Sequence, residues 1–79
     1  MSSSAELVEY LARRLVDDPD AVRVEELDRD GDLVIELHVA SDDVGKVIGR
    51  QGRIARALRT VVRASAARRS GRTLLEIVE

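Results

Sequence analysis

Gly45-Lys46-Val47-Ile48-Gly49-Arg50-Gln51-Gly52-Arg53-Ile54 sets a short apolar run against a four-residue loop that begins and ends on glycine. A long arginine-bearing helical pattern follows it. Gly49 and Gly52 bracket Arg50 and Gln51. Glycine reaches backbone dihedrals that other residues resist, and it lets a second backbone come close. A helix that starts just after such a loop offers unpaired N–H groups and a partial positive charge. Together these features suit a phosphate held against main chain. The glycine spacing matches neither the P-loop nor the dinucleotide fingerprint.

Downstream of the loop, helical spacing runs over about 53–69. Ile54, Leu58, Val61 and Ser65 share one face with Ala57 beside them, and Arg56, Arg59 and Arg63 lie opposite. These three arginines read as a solvated face. Ser70-Gly71 is the expected end of the helix, and Thr73-Leu74-Leu75-Glu76-Ile77-Val78 the last strand. Upstream of the loop, Ser41-Asp42-Asp43 caps a short helix over about 43–48. Before it, Leu33, Ile35, Leu37 and Val39 alternate along a strand over about 32–40. It is the most apolar strand, so it belongs in the centre of the sheet.

Asp28-Arg29-Asp30-Gly31-Asp32 reads as a hairpin turn, with Asp30-Gly31 its strongest signal. It leads back to a strand over about 21–28, where Val22 and Val24 alternate with Arg23 and Glu25. The chain begins with a helix over about 4–17. Ser3 and Glu6 have capping-box spacing, and Leu7, Val8, Leu11, Ala12, Leu15 and Val16 form its apolar stripe. Asp18 precedes Pro19 and is pushed out of helical dihedrals. The resulting order is αββααβ. The hairpin strands are antiparallel, and the last strand can return parallel to the central one after a two-helix crossover. The expectation is an α+β domain with a three-stranded mixed sheet and three helices on one face.

Seventy-nine residues make one domain, 1–79. There is no cysteine, hence no disulfide and no thiolate metal site. The start, Met1-Ser2-Ser3-Ser4, carries neither a basic region nor an apolar run, so no signal peptide is expected. No apolar stretch approaches membrane-spanning length. The net charge of −2 conceals a division. Residues 1–43 hold 13 acidic and 4 basic residues, a balance of −9; residues 44–79 hold 9 basic and 2 acidic, a balance of +7. No carboxylate falls between Val44 and Arg72. Such a local basic block attracts phosphate.

Catalytic patterns are missing. Asp28-x-Asp30-x-Asp32 starts like a calcium loop, but Leu33 stands where glycine is needed and Val39 where glutamate is needed. His38, the only histidine, lies on a strand and reads as a sheet-surface residue. No nucleophile–base pair is present. No enzyme, cofactor or metal is expected. Tyr10 is the only aromatic residue, so there is no platform on which bases could stack as they do in RRM and OB modules.

Val-Ile-Gly-x-x-Gly between two helices resembles the signature of the KH domain, which clamps about four nucleotides of single strand on that loop. The order αββααβ resembles the bacterial type II KH fold over essentially the whole chain. Asp43 to Gly52, followed by Ala57-Leu58-Arg59-Thr60-Val61-Val62-Arg63-Ala64, is similar to the stand-alone bacterial KhpA family, as are the opening Leu7-Val8-Glu9-Tyr10 and the ending Leu75-Glu76-Ile77-Val78. The resemblance implies a non-catalytic cytoplasmic protein that binds single-stranded RNA, or single-stranded DNA, as a chaperone or post-transcriptional regulator. It further implies a homodimer or a pairing with a KhpB-like KH protein, and in some bacteria a tie to cell elongation and envelope upkeep. The implied site is Lys46, Val47, Ile48, Gly49, Arg50, Gln51, Gly52, Arg53 and Ile54. Backbone N–H groups of Gly49–Gly52 meet the sugar-phosphate chain, with Lys46, Arg50 and Arg53 supplying charge. Gln51 bonds a phosphate or ribose oxygen. Val44, Val47, Ile48 and Ile54 line an apolar groove, although Val47, Ile48 and Ile54 read mainly as core. The alternative is a protein–protein adaptor with a vestigial groove.

Overall fold

The computed structural model describes residues Met1–Glu79. Helix α1 spans Ser3–Leu15, strand β1 Arg23–Arg29, β2 Asp32–His38, helix α2 Val44–Ile48, α3 Arg53–Ser65 and strand β3 Thr73–Val78. Single 3-10 turns sit at Pro19–Ala21, Ser41–Asp43 and Arg50–Gly52. The αββααβ order and the α+β class are as expected. The sheet order is β1-β2-β3, with β2 antiparallel to β1 and parallel to β3.

The pleat divides the sheet cleanly. Leu33, Ile35 and Leu37 of β2, with Leu75 and Ile77 of β3, face the helices. They meet Val8 and Ala12 of α1, Val47 of α2, and Leu58 and Val62 of α3 in one core. The opposite face carries no helix. Val34 lies on that open face yet is fully buried, flanked in register by Leu27 and Leu74. The hairpin turns on Asp30 and Gly31, both with positive φ (55° and 88°).

Several element boundaries differ from the expected ones. Helix α1 is capped by Ser2, not Ser3: the Ser2 Oγ accepts from the Ala5 N–H at 3.1 Å. The buried stripe is Ser4, Ala5, Val8 and Ala12, and the Ser4 Oγ meets the Ser65 Oγ at 2.7 Å. The helix stops at Leu15, not Asp17. The buried Asp43 carboxylate accepts from the N–H groups of Asp17 and Asp18, at 3.3 and 3.0 Å, and holds them away from a helical path. The strands are also shifted, β1 starting at Arg23 rather than about 21 and β2 ending at His38 rather than about 40.

Helix α3 ends at Ser65, and Ser70-Gly71 is not its cap. The Ala66-Ala67-Arg68-Arg69 run has good helical propensity, but tertiary bonds override it. The Arg69 guanidinium donates to the carbonyls of Ser70 (2.8 Å) and Arg72 (3.3 Å). Arg72 is clamped to Asp32 at 2.7 Å, which fixes where β3 must begin. The buried face of α3 is also rotated from the expected one. Ala55, Leu58 and Val62 form it, whereas Ile54 and Val61 are half-buried and Ala57 and Ser65 are exposed.

Candidate nucleic-acid interface

The glycine turn is built on unusual dihedrals at three of its four residues, Gly49, Gln51 and Gly52. Gly49 ends α2 at φ 77°, ψ 173°, a region almost confined to glycine. A Cβ there would lie 2.7 Å from the Ile54 Cγ1, so Gly49 also lets α3 pack back over the end of α2. Gln51 (φ 58°, ψ 24°) and Gly52 (φ 73°, ψ 17°) are both left-handed. The Gly49 N–H donates to the Gly45 carbonyl at 2.8 Å, and the Gly52 N–H to the Gly49 carbonyl at 3.2 Å. These bonds fix the turn from inside and leave the Arg50 and Gln51 side chains exposed. The Arg53 Nη2 donates to the Gln51 Oε1 at 3.3 Å.

Helix α3 starts against its own dipole. No side chain caps it and no acidic residue occupies its first turn. Arg50 and Arg53 stand there instead, next to the partial positive charge of the helix start. Arg50, Arg53, Arg56, Arg59, Arg63 and Arg68 each lack a carboxylate within ion-pair distance. No direct ion pair therefore neutralises the positive field at the start and along the outer side of α3.

Lys46 is placed differently from its neighbours. Its Nζ lies 3.2 Å from Asp17 and 3.5 Å from Asp43. The hydrogen bond and charge of Asp17 hold the ammonium above its ordinary value, assisted by Asp43. Burial pushes the Asp43 carboxyl up, but the Asp18 and Asp17 N–H groups and Lys46 together outweigh it and hold it below its ordinary value. Lys46 is therefore an internal brace between the end of α1 and the start of α2. Val47 is wholly core, and Val44, Ile48 and Ile54 are half-buried beside the turn.

A groove that the sequence reading did not assign runs along α3 toward β3. Arg59, Arg63, Thr73, Leu74 and Leu75 line one part of about 130 Å³. Arg63, Thr73 and Leu74 continue into a second part of about 380 Å³, closed by Ala66, Ala67, Arg69, Gly71 and Arg72. Thr73 is only 8% exposed, and its Oγ1 has no hydrogen-bond partner. Strand β3 is a sheet edge, so one side of its backbone is unpaired here. From Arg53 to Arg63 the helix rises about 15 Å, joining the glycine turn to this groove. Arg59 and Arg63, read as solvated, belong to it. The carboxylate-free run was the sequence signal for them; only the fold could bring Thr73 and Leu74 alongside.

No helix is long and apolar enough to cross a membrane. The family model described as "KhpA/KhpB, KH domain" matches residues 5–77. The chain is 52% identical over 73 residues to a protein of Caldanaerobacter subterraneus named "RNA-binding protein KhpA", covering 92% of this chain and 97% of that one. It is 49% identical over 79 residues to the protein of that name from Aquifex aeolicus, covering 100% of each. A third, from Halalkalibacterium halodurans, is 55% identical over 73 residues, covering 92% of this chain and 96% of that one. The fold, the glycine turn and these matches agree: the chain belongs to the KhpA/KhpB KH-domain family, which is not enzymatic.

Proposed function

We propose that this protein binds single-stranded RNA along the glycine turn and the arginine groove. The observation that carries the reading is the uncompensated run of arginines from Arg50 to Arg68, which begins at the start of α3. A phosphate at Gly49–Gly52 relieves the repulsion between Arg50, Arg53 and the helix dipole. Arg59 and Arg63 then track the sugar-phosphate chain, and bases lie toward Ile48, Ile54 and the β3 edge. In this reading the protein works in the cytoplasm as an RNA chaperone or post-transcriptional regulator. One short groove is a small interface, so the protein gains affinity by pairing with a second copy or with a KhpB-like partner.

Titration of a short unstructured RNA at several salt concentrations tests the contact. Each neutralised single-strand phosphate contributes about −0.7 to the slope of log affinity against log salt. About three phosphates give a slope near −2. A slope of zero would exclude phosphate contact as the main term.

The adaptor reading rests on the open sheet face. Leu27 and Leu74, exposed at 37% and 39%, flank the buried Val34 across all three strands. An adaptor with a vestigial groove would pair with a protein through this strip and show no shift of short RNAs in a gel.

A further inference from the structure

We propose that Glu25, Glu36 and His38 form a binding site for a borderline divalent cation of the zinc type on the open face of the sheet. The hairpin register sets Glu25 directly opposite Glu36, and His38 follows Glu36 two residues on, on the same face. One donor atom from each residue lies within 4.8 Å of the other two. In sequence these residues are far apart or unremarkable; only the register converges them.

The local electrostatics call for a cation. Glu25, Glu36 and Glu76 form a row of carboxylates across the three strands, and like charges directly opposite one another are destabilising. Arg23 offsets Glu25 at 2.9 Å, and Arg29 offsets Glu76 at 3.1 Å. Glu36, in the middle, has only the imidazole of His38. The His38 Nε2 is shielded from solvent and has no hydrogen-bond partner. It lies 3.5 Å from the Glu36 Oε1, beyond a normal N–H···O bond.

That distance fits a shared metal ion. Zinc binds histidine nitrogen and carboxylate oxygen at about 2.0–2.2 Å with tetrahedral geometry, so two of its ligand atoms stand about 3.4 Å apart. The Glu25 side chain is exposed and closes the remaining gap by changing rotamer. In its present position that carboxylate accepts from the Arg23 Nε at 2.9 Å, the kind of outer-shell partner that metal ligands carry. One nitrogen and two carboxylates favour zinc, cobalt or nickel over magnesium or calcium, which prefer all-oxygen shells. Three protein ligands leave the fourth position open to water. Bound there, the cation ties β1 to β2 and neutralises the carboxylate row.

The test uses the full chain, freed of metal with a chelator. Calorimetric titration with zinc chloride is expected to show one equivalent bound, and cobalt to give the visible absorption of a tetrahedral nitrogen–oxygen site. His38→Gln and Glu36→Gln should each weaken zinc binding by about 10-fold or more, while Glu36→Gln keeps shape and removes only charge. Circular dichroism melts in chelator establish that both variants fold. Zinc should raise the melting temperature of the parent and not of His38→Gln. No zinc binding by the folded parent overturns the proposal, as does binding that both variants retain. Magnesium binding as strong as zinc binding overturns the assignment of ion class.

Discussion

Gly49 and Gly52 look equivalent in the motif but carry different constraints. Gly49 has dihedrals that only glycine adopts freely, and a Cβ would strike Ile54 at 2.7 Å. Gly52 is left-handed, and a Cβ there would meet nothing within 4 Å. Gly49→Ala should therefore cost about 3 kcal/mol, at the upper end for a strained backbone with a clash. Gly52→Ala should cost about 1–2 kcal/mol, the ordinary penalty for a left-handed residue. Urea denaturation of both variants checks the order; an equal or reversed order contradicts the separate roles. Asp43 yields a pH dependence. Its folded value lies below its unfolded value, because the N–H groups of Asp17 and Asp18 and the Lys46 charge outweigh burial. The unfolded chain then binds more protons as the carboxyl titrates, so stability rises with pH there. This contribution is present above the unfolded value of about 3.9 and is lost as pH falls through the folded one. Asp43→Asn should flatten that part of the profile in denaturant midpoints measured from neutral pH down through the carboxylate range, whereas an unchanged acid slope would contradict the clamp.

Helix α3 gives up stability to present its arginines. Arg56 and Arg59 are three apart, Arg59 and Arg63 four apart, and like charges at these spacings destabilise a helix. Arg59→Glu turns both repulsions into attractions and should stabilise the fold by about 1 kcal/mol while weakening RNA binding. Melting temperature and a binding titration on the same variant check this; a stabilised protein with undiminished affinity removes Arg59 from the interface. The elements themselves are largely legible in the sequence. The alternation of Leu33, Ile35 and Leu37 locates β2 and its core face, Asp30-Gly31 locates the hairpin, and the two glycines locate the turn between α2 and α3. Helix ends are less legible because distant residues set them. Asp43 stops α1 from 25 residues away, and Arg69 with the Arg72–Asp32 pair stops α3. The half of the groove at Thr73 and Leu74 is illegible for a related reason: an edge strand's neighbour across a helix is a tertiary fact with no local pattern. The buried row of α3 departs from the expected one by a small rotation, enough to exchange Val61 for Val62.

At the scale of the molecule, the division of charge along the chain becomes a division in space. The acidic half supplies α1 and the hairpin, and the basic half wraps the glycine turn and the long side of α3. Three carboxylates of the acidic half reach across, Asp32 to Arg72 and Asp17 with Asp43 to Lys46, and the arginines Arg50, Arg53, Arg56, Arg59, Arg63 and Arg68 stay without an acidic partner. The most direct measurement combines Arg50→Asp and Gln51→Asp in one protein. Both side chains are exposed, Asp tolerates the left-handed dihedrals of Gln51, and negative charge suits a helix start. Folding should therefore survive, with a change in stability under about 1 kcal/mol. Against a phosphate the sign reverses. Two unit charges about 4 Å apart at a protein surface repel by roughly 4 kcal/mol before screening, enough to abolish a contact of roughly micromolar strength. Thermal unfolding by circular dichroism and RNA binding are to be measured on the same preparation. The expected result is a parent-like melt with RNA binding lost; a parent-like melt with RNA binding retained would show that the Gly49–Gly52 turn is not where the nucleic acid sits.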